Sequence, residues 1–112
     1  MRTERDDCQL RLDTRALKLG YRFGSDALLV LLDLAAHATE SAEGTVVAAS
    51  YRDVARRLGI SKDTVGRWLA VLRQVGVVVE RSEHANDRFE VRCYVLHLEL
   101  AGVTRELVTA AA

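Results

Sequence analysis

Between positions 50 and 76 the chain sets Arg52, Arg56, Arg57, Lys62, Arg67 and Arg73 against only Asp53 and Asp63. The local excess is +4, in a chain whose 16 Lys/Arg and 16 Asp/Glu cancel overall, so the remainder carries −4. Within this stretch the small residues Gly66 and Ala70 lie on the same helical arc as Lys62, Asp63, Arg67, Arg73 and Gln74. Glycine inside a helix costs roughly 1 kcal/mol against alanine, so its presence asks for a reason. A bare arc flanked by cations lets a helix lie close to an anionic surface. A DNA major groove is such a surface, read by the N-terminal half of an inserted helix. The chemistry implied is binding, with charge asymmetry turning one face toward the polyanion.

Catalytic alternatives have little in the sequence to support them. There is no glycine-rich phosphate loop, no His-Glu-x-x-His and no nucleophile elbow. Cys93 and His97 share a strand face, but zinc needs three or four protein ligands, so packing is the better reading. The scattered carboxylates and His37 read as solvated surface. No enzyme activity, metal or cofactor is expected.

Two short amphipathic patterns position the basic arc. Tyr51, Val54, Ala55 and Leu58 share one side of a first helix, which Ser50 opens as N-cap with Asp53 three residues on. Gly59 suits the tight turn. Ser61 caps a second helix with Asp63 in its first turn, and Val65, Trp68, Leu69, Val71, Leu72 and Val75 form its apolar arc. Trp68, mid-arc, reads as a core residue rather than a stacking platform.

The run VARRLGISKDTVGRWLAVLRQVGVVVER resembles the DNA-binding domains of bacterial winged helix-turn-helix regulators such as the GntR and IclR families. The likeness rests on Ala55, Gly59, Ile60-Ser61, Thr64-Val65, Arg67, Leu72 and Gly76. It implies phosphate contacts from Ser61 and Thr64, and base or phosphate contacts from Lys62 and Arg67. The family's glycine-rich wing tip is replaced here by Glu83 to Asp87. No ligand-binding domain follows, so a small-molecule effector is not expected. The full DNA-binding set expected is Ser50, Arg52, Ser61, Lys62, Asp63, Thr64, Gly66, Arg67 and Arg73, with Arg81 and Arg88 flanking the wing tip.

The order helix, strand, helix, helix, strand, strand predicts an α+β winged helix-turn-helix, a three-helix core with a small antiparallel sheet and a β-hairpin wing. A first long helix starts at Gly24-Ser25 with Ser25 as cap, and Asp26, Asp33, His37 and Glu40 form its narrow polar stripe. Strands are expected at Thr45–Ala49, Val77–Arg81 and Arg88–Leu100, with the wing turn at Ser82–Asp87. Residues 1–23 read as an N-terminal arm, 24–100 as the domain and 101–112 as a tail with helical character. Arg2, Arg5 and Arg11 keep open a DNA-contacting role for the arm.

Nearly everything from Ala27 to Ala38 is apolar, more than one small domain is expected to cover, and the last strand turns a second apolar set away from Phe89, Val91 and Cys93. A homodimer is therefore expected through Leu28, Leu31, Leu32, Leu96, Leu98 and Leu100. The apolar run is too short to span a membrane. Two cysteines make no disulfide framework, which points to a reducing cytoplasm and, for a DNA binder, the nucleoid. The expected function is sequence-specific duplex-DNA binding by a transcriptional regulator. The alternatives are a replication or partition protein of a mobile element, or a winged-helix protein-interaction module.

Overall fold

The computed structural model describes residues 7–86 and 91–108. It has α1 (Thr14–Phe23), α2 (Ser25–Ala36), α3 (Tyr51–Leu58) and α4 (Lys62–Gln74), with strands β1 (Asp7–Leu12), β2 (Thr39–Ser41), β3 (Gly44–Ser50), β4 (Val78–Asn86), β5 (Val91–Leu96) and β6 (Val103–Val108). A short 3-10 turn, Leu98–Ala101, joins β5 to β6. The fold is α+β and winged helix-turn-helix: α2, α3 and α4 are the three-helix core, and β4–β5 is the hairpin of a sheet ordered β2-β3-β5-β4.

Helix α2 is the centre of this arrangement. Ala27, Val30, Leu31, Leu34 and Ala35 are all 0% exposed. They pack under α1, α3, α4 and β1. The chain therefore covers by itself most of the apolar surface that its sequence assigns to a second subunit. Leu31 is core, Leu28 and Leu32 are partly buried against it, and Leu29 is 43% exposed. The helix is opened by Gly24 at φ 107, with no side-chain cap bond, and Ser25 lies inside the first turn.

Both ends of the chain depart from the expected arm and tail. Strands β1 and β6 pair antiparallel from Asp7↔Val108 to Leu12↔Val103. Helix α1 is capped by Asp13, whose side chain accepts the Arg15 N–H at 2.8 Å. The two features meet at Gly102. Its carbonyl accepts the Asp13 N–H at 2.9 Å. A Cβ there would fall 2.0 Å from Asp13 Oδ1, so only glycine fits. The ribbon is fastened to α2 by Arg105. Its guanidinium donates to the carbonyls of Ala35 and Ala38 at 2.8 and 2.7 Å and to Glu40 at 2.6 Å. Residues 104–108, expected to be helical, are thus strand.

The change of phase in the last expected strand has a simple cause. Strand β5 ends at Leu96, and the His97 N–H bonds the Val77 carbonyl at 2.7 Å. The chain then turns through Leu98–Ala101. Tyr94, Leu96 and Leu98 are all buried in the one core, while Leu100 is 56% exposed. Leu96 and Leu98 are therefore not free for a partner. The wing strand runs past the expected turn, to Asn86, with a register shift between Arg81 and Asn86. Residues 87–90, and Arg88 with them, lie outside the described residues.

Candidate nucleic-acid interface

The helix-turn-helix forms as its caps require. Ser50 Oγ accepts the Asp53 N–H at 3.1 Å, and Ser61 Oγ accepts the Thr64 N–H at 3.0 Å while donating to Thr64 Oγ1 at 2.8 Å. Gly59, at φ 72, ends α3 in the left-handed region, and the N–H groups of Gly59 and Ile60 both reach the Ala55 carbonyl. Val54, Ala55, Val65, Leu69 and Leu72 go into the core. Trp68 is partly buried against it, and the Arg67 guanidinium lies 5.9 Å from the centroid of the Trp68 ring.

The outward arc of α4 is open to solvent. Ser61, Lys62, Asp63, Arg67 and Ala70 are exposed, as are Arg52 and Arg56 on α3. Thr64 is partly buried. Arg73 is exposed but stands in the last turn, roughly 16 Å along the axis from Lys62 at 1.5 Å per residue. It pairs with Glu80 at 3.1 Å, which Arg92 also reaches at 3.5 Å.

Several expected contacts are placed elsewhere. Ser50 is 6% exposed, with its hydroxyl engaged in the cap. Arg81 lies in β4 and pairs with Glu43 of the β2–β3 turn, with its side chain only 18% exposed. It is part of the sheet and does not flank the wing tip. Gly66 also lies close against α3. A Cβ at this position would stand 3.1 Å from Tyr51 Cε2, so the glycine makes room for the Tyr51 ring between α3 and α4. Behind that ring Tyr94 is fully buried, with no hydrogen bond to its hydroxyl among the described residues. Burial, and then the neighbouring Tyr51, push its ionisation well above that of a free tyrosine.

Gly66→Leu should consequently destabilise the fold. Overpacking against Tyr51 costs about 1–3 kcal/mol, and the better helix propensity returns less than about 1 kcal/mol of it. Urea denaturation measures the loss, and Tyr51→Ala should reduce it. Unchanged stability would mean that Gly66 has no packing role.

The pairing of charges also changes the local balance. Arg57 grips Asp33 of α2 with both carboxylate oxygens engaged, at 3.0 and 2.7 Å. The Asp33 side chain is 7% exposed, so it is an anchor held against α3 and no part of a solvated stripe. Arg56 pairs with Asp53 at 2.6 Å. The Asp53 carboxyl is held below its ordinary value first by the Ser50 hydroxyl and then by Arg56. Arg56, Arg57 and Arg73 are thus each engaged by a carboxylate. Arg52, Lys62 and Arg67 are exposed to solvent. The Asp33 link had one sequence signal, a single carboxylate in an otherwise apolar helical run. Among the described residues no group of His, Cys, Asp and Glu could hold a metal ion, and no helix is long and apolar enough to cross a membrane.

Residues 24–78 match a family model described as a helix-turn-helix domain. The match runs from the cap of α2 to the first residue of β4 and so spans the three-helix core. Its description is of the helix-turn-helix in general and does not extend to the GntR or IclR types. No curated protein and no solved structure matches the chain.

Proposed function

We propose that the protein binds duplex DNA by laying the N-terminal half of α4 in the major groove, as a transcriptional regulator. The observation that supports this reading is the solvent-exposed arc Ser61, Lys62, Asp63, Arg67 and Ala70. Arg67 reads a base edge or phosphate, Lys62 and Arg52 neutralise phosphates, and the capping pair Ser61–Thr64 aims the helix end at the backbone. A single recognition helix reads few base pairs, so a two-fold dimer is the natural form. Its contact surface is the exposed apolar face of α1 and α2, where Leu17 is 49% and Tyr21 83% exposed, with Leu28 beside them. A replication or partition role at repeated sites uses the same contacts.

The matched charges at Arg56 and Arg73 favour one other reading, a helix-turn-helix that docks on protein. Fluorescence anisotropy on a site selected from random duplexes separates the two. Arg67→Ala should weaken the selected site by about 1–3 kcal/mol. Lys62→Ala should weaken all duplexes evenly and flatten the salt slope. The selected site should be an inverted repeat. No saturable DNA binding, or binding indifferent to both substitutions, would reject the major-groove reading.

A further inference from the structure

A cavity of about 250 Å³ opens at the far end of α4 from Lys62, between α1 and the 3-10 turn. Its apolar lining includes Leu19, Phe23, Val75 and Leu100, and Lys18 and Arg22 stand at its edge. Two features set it apart from an ordinary surface dimple. Val75 and Leu100 are large apolar side chains left 39% and 56% exposed. Lys18 and Arg22 are four residues apart on one helix, where like charges repel. No carboxylate among the described residues pairs with either of them. Arg22 rests on the Phe23 ring, its guanidinium carbon 5.0 Å from the centroid. The third cation of the lining, Arg15, is already committed to Asp13 at 2.8 Å and to the Glu99 carbonyl at 2.8 Å.

We infer that this cavity binds a small carboxylate with an apolar body. The anionic head would sit between Lys18 and Arg22 and relieve their repulsion, and the body would cover Val75, Leu100 and the Leu19–Phe23 floor. The volume holds about eight groups of water or methylene size, which suits a medium-chain or single-ring acid. The occupant's body would rest against the exit from α4 into β4. The site is separate from the outward arc of α4 and does not depend on the DNA reading.

Octanoate is the probe, titrated into the full chain and followed by amide NMR shifts. It should saturate a single site, with shifts centred on Lys18, Val75, Val77 and Leu100. The neutral isostere 1-octanol should bind at least about tenfold more weakly, since it forgoes the charge-assisted contacts. Lys18→Gln with Arg22→Gln, two exposed changes outside the core, should cost octanoate about tenfold as well, with the melting temperature confirming the fold. Octanol binding as tightly as octanoate, or octanoate binding unchanged in the double variant, would reduce the cavity to an apolar patch and overturn the inference. So would the absence of saturation up to about 10 mM, an affinity too weak to count as a site, or shifts confined to the Lys62–Arg67 face.

Discussion

Arg105→Ala should cost the protein about 3–5 kcal/mol of unfolding free energy. The side chain is 8% exposed, and its three charge-assisted bonds are all short. Two of them satisfy carbonyls near the C-terminal end of α2, where helical partners run out. Alanine would take a charged donor from the Ala38 carbonyl and leave the Ala35 carbonyl only long backbone bonds such as that from the Ala38 N–H at 3.4 Å, and it would free the β1–β6 ribbon from α2 and remove the stem that packs between them. A domain of this size has about 5–15 kcal/mol in all, so the variant should melt far earlier and expose β1 and β6 to hydrogen exchange first. Arg105→Lys should recover only part of the loss, because one ammonium lacks the planar fork that spans three acceptors. Glu40→Gln should cost much less, since Glu40 is 58% exposed and neutral amides still accept. A loss below about 1 kcal/mol for Arg105→Ala would show that the ribbon is held by its apolar contacts instead.

Arg57→Ala should cost about 2–4 kcal/mol and weaken DNA binding with it. The guanidinium closes over Asp33, which is 7% exposed, and truncation would leave that carboxylate without its main partner. The figure sits at the low end for buried pairs for two reasons. Arg57 is itself 35% exposed, and the His37 ring nitrogen stands 3.8 Å from the same carboxylate. Because this pair ties α3 to α2, its loss should loosen the platform from which α4 projects. Replacing both partners, Asp33→Leu with Arg57→Leu, should restore much of the stability. DNA affinity should return with it, since neither residue is on the outward arc of α4. If the double variant folds well yet fails to bind, Arg57 contributes to the interface directly and its role as an anchor is incomplete.

The two helices of the helix-turn-helix are legible in the sequence because everything that defines them is local. Ser50 and Ser61 bond amides three residues away, Gly59 sits at the turn, and the 3.6-residue spacing of Val54, Val65, Leu69 and Leu72 names the buried face. The winged-helix order of elements follows from the same local patterns, as does the exposed arc at Lys62 and Arg67. The wing's own contacts are less legible. Arg81 reads as a tip residue until its pairing with Glu43 in the β2–β3 turn is seen.

What the tertiary structure decided is whatever depends on residues far apart in the chain. Strand β6 has no local mark that outweighs the helix-like Thr104 to Ala112, and it is a strand because β1, at the other end of the chain, supplies its ladder of hydrogen bonds. Leu31, Leu96 and Leu98 look like surplus apolar surface until α1 and the turn after β5 close over them. Gly66 reads as room left for a ligand, while the atom that a side chain there would first meet belongs to Tyr51, on another helix. Charge behaves the same way. Periodicity places six cations on the helix-turn-helix, but only the packing of α2 and β4 beside it sets Asp33 against Arg57 and Glu80 against Arg73. Local periodicity reports which way a side chain faces, and the partner it meets there is set by the path of the rest of the chain.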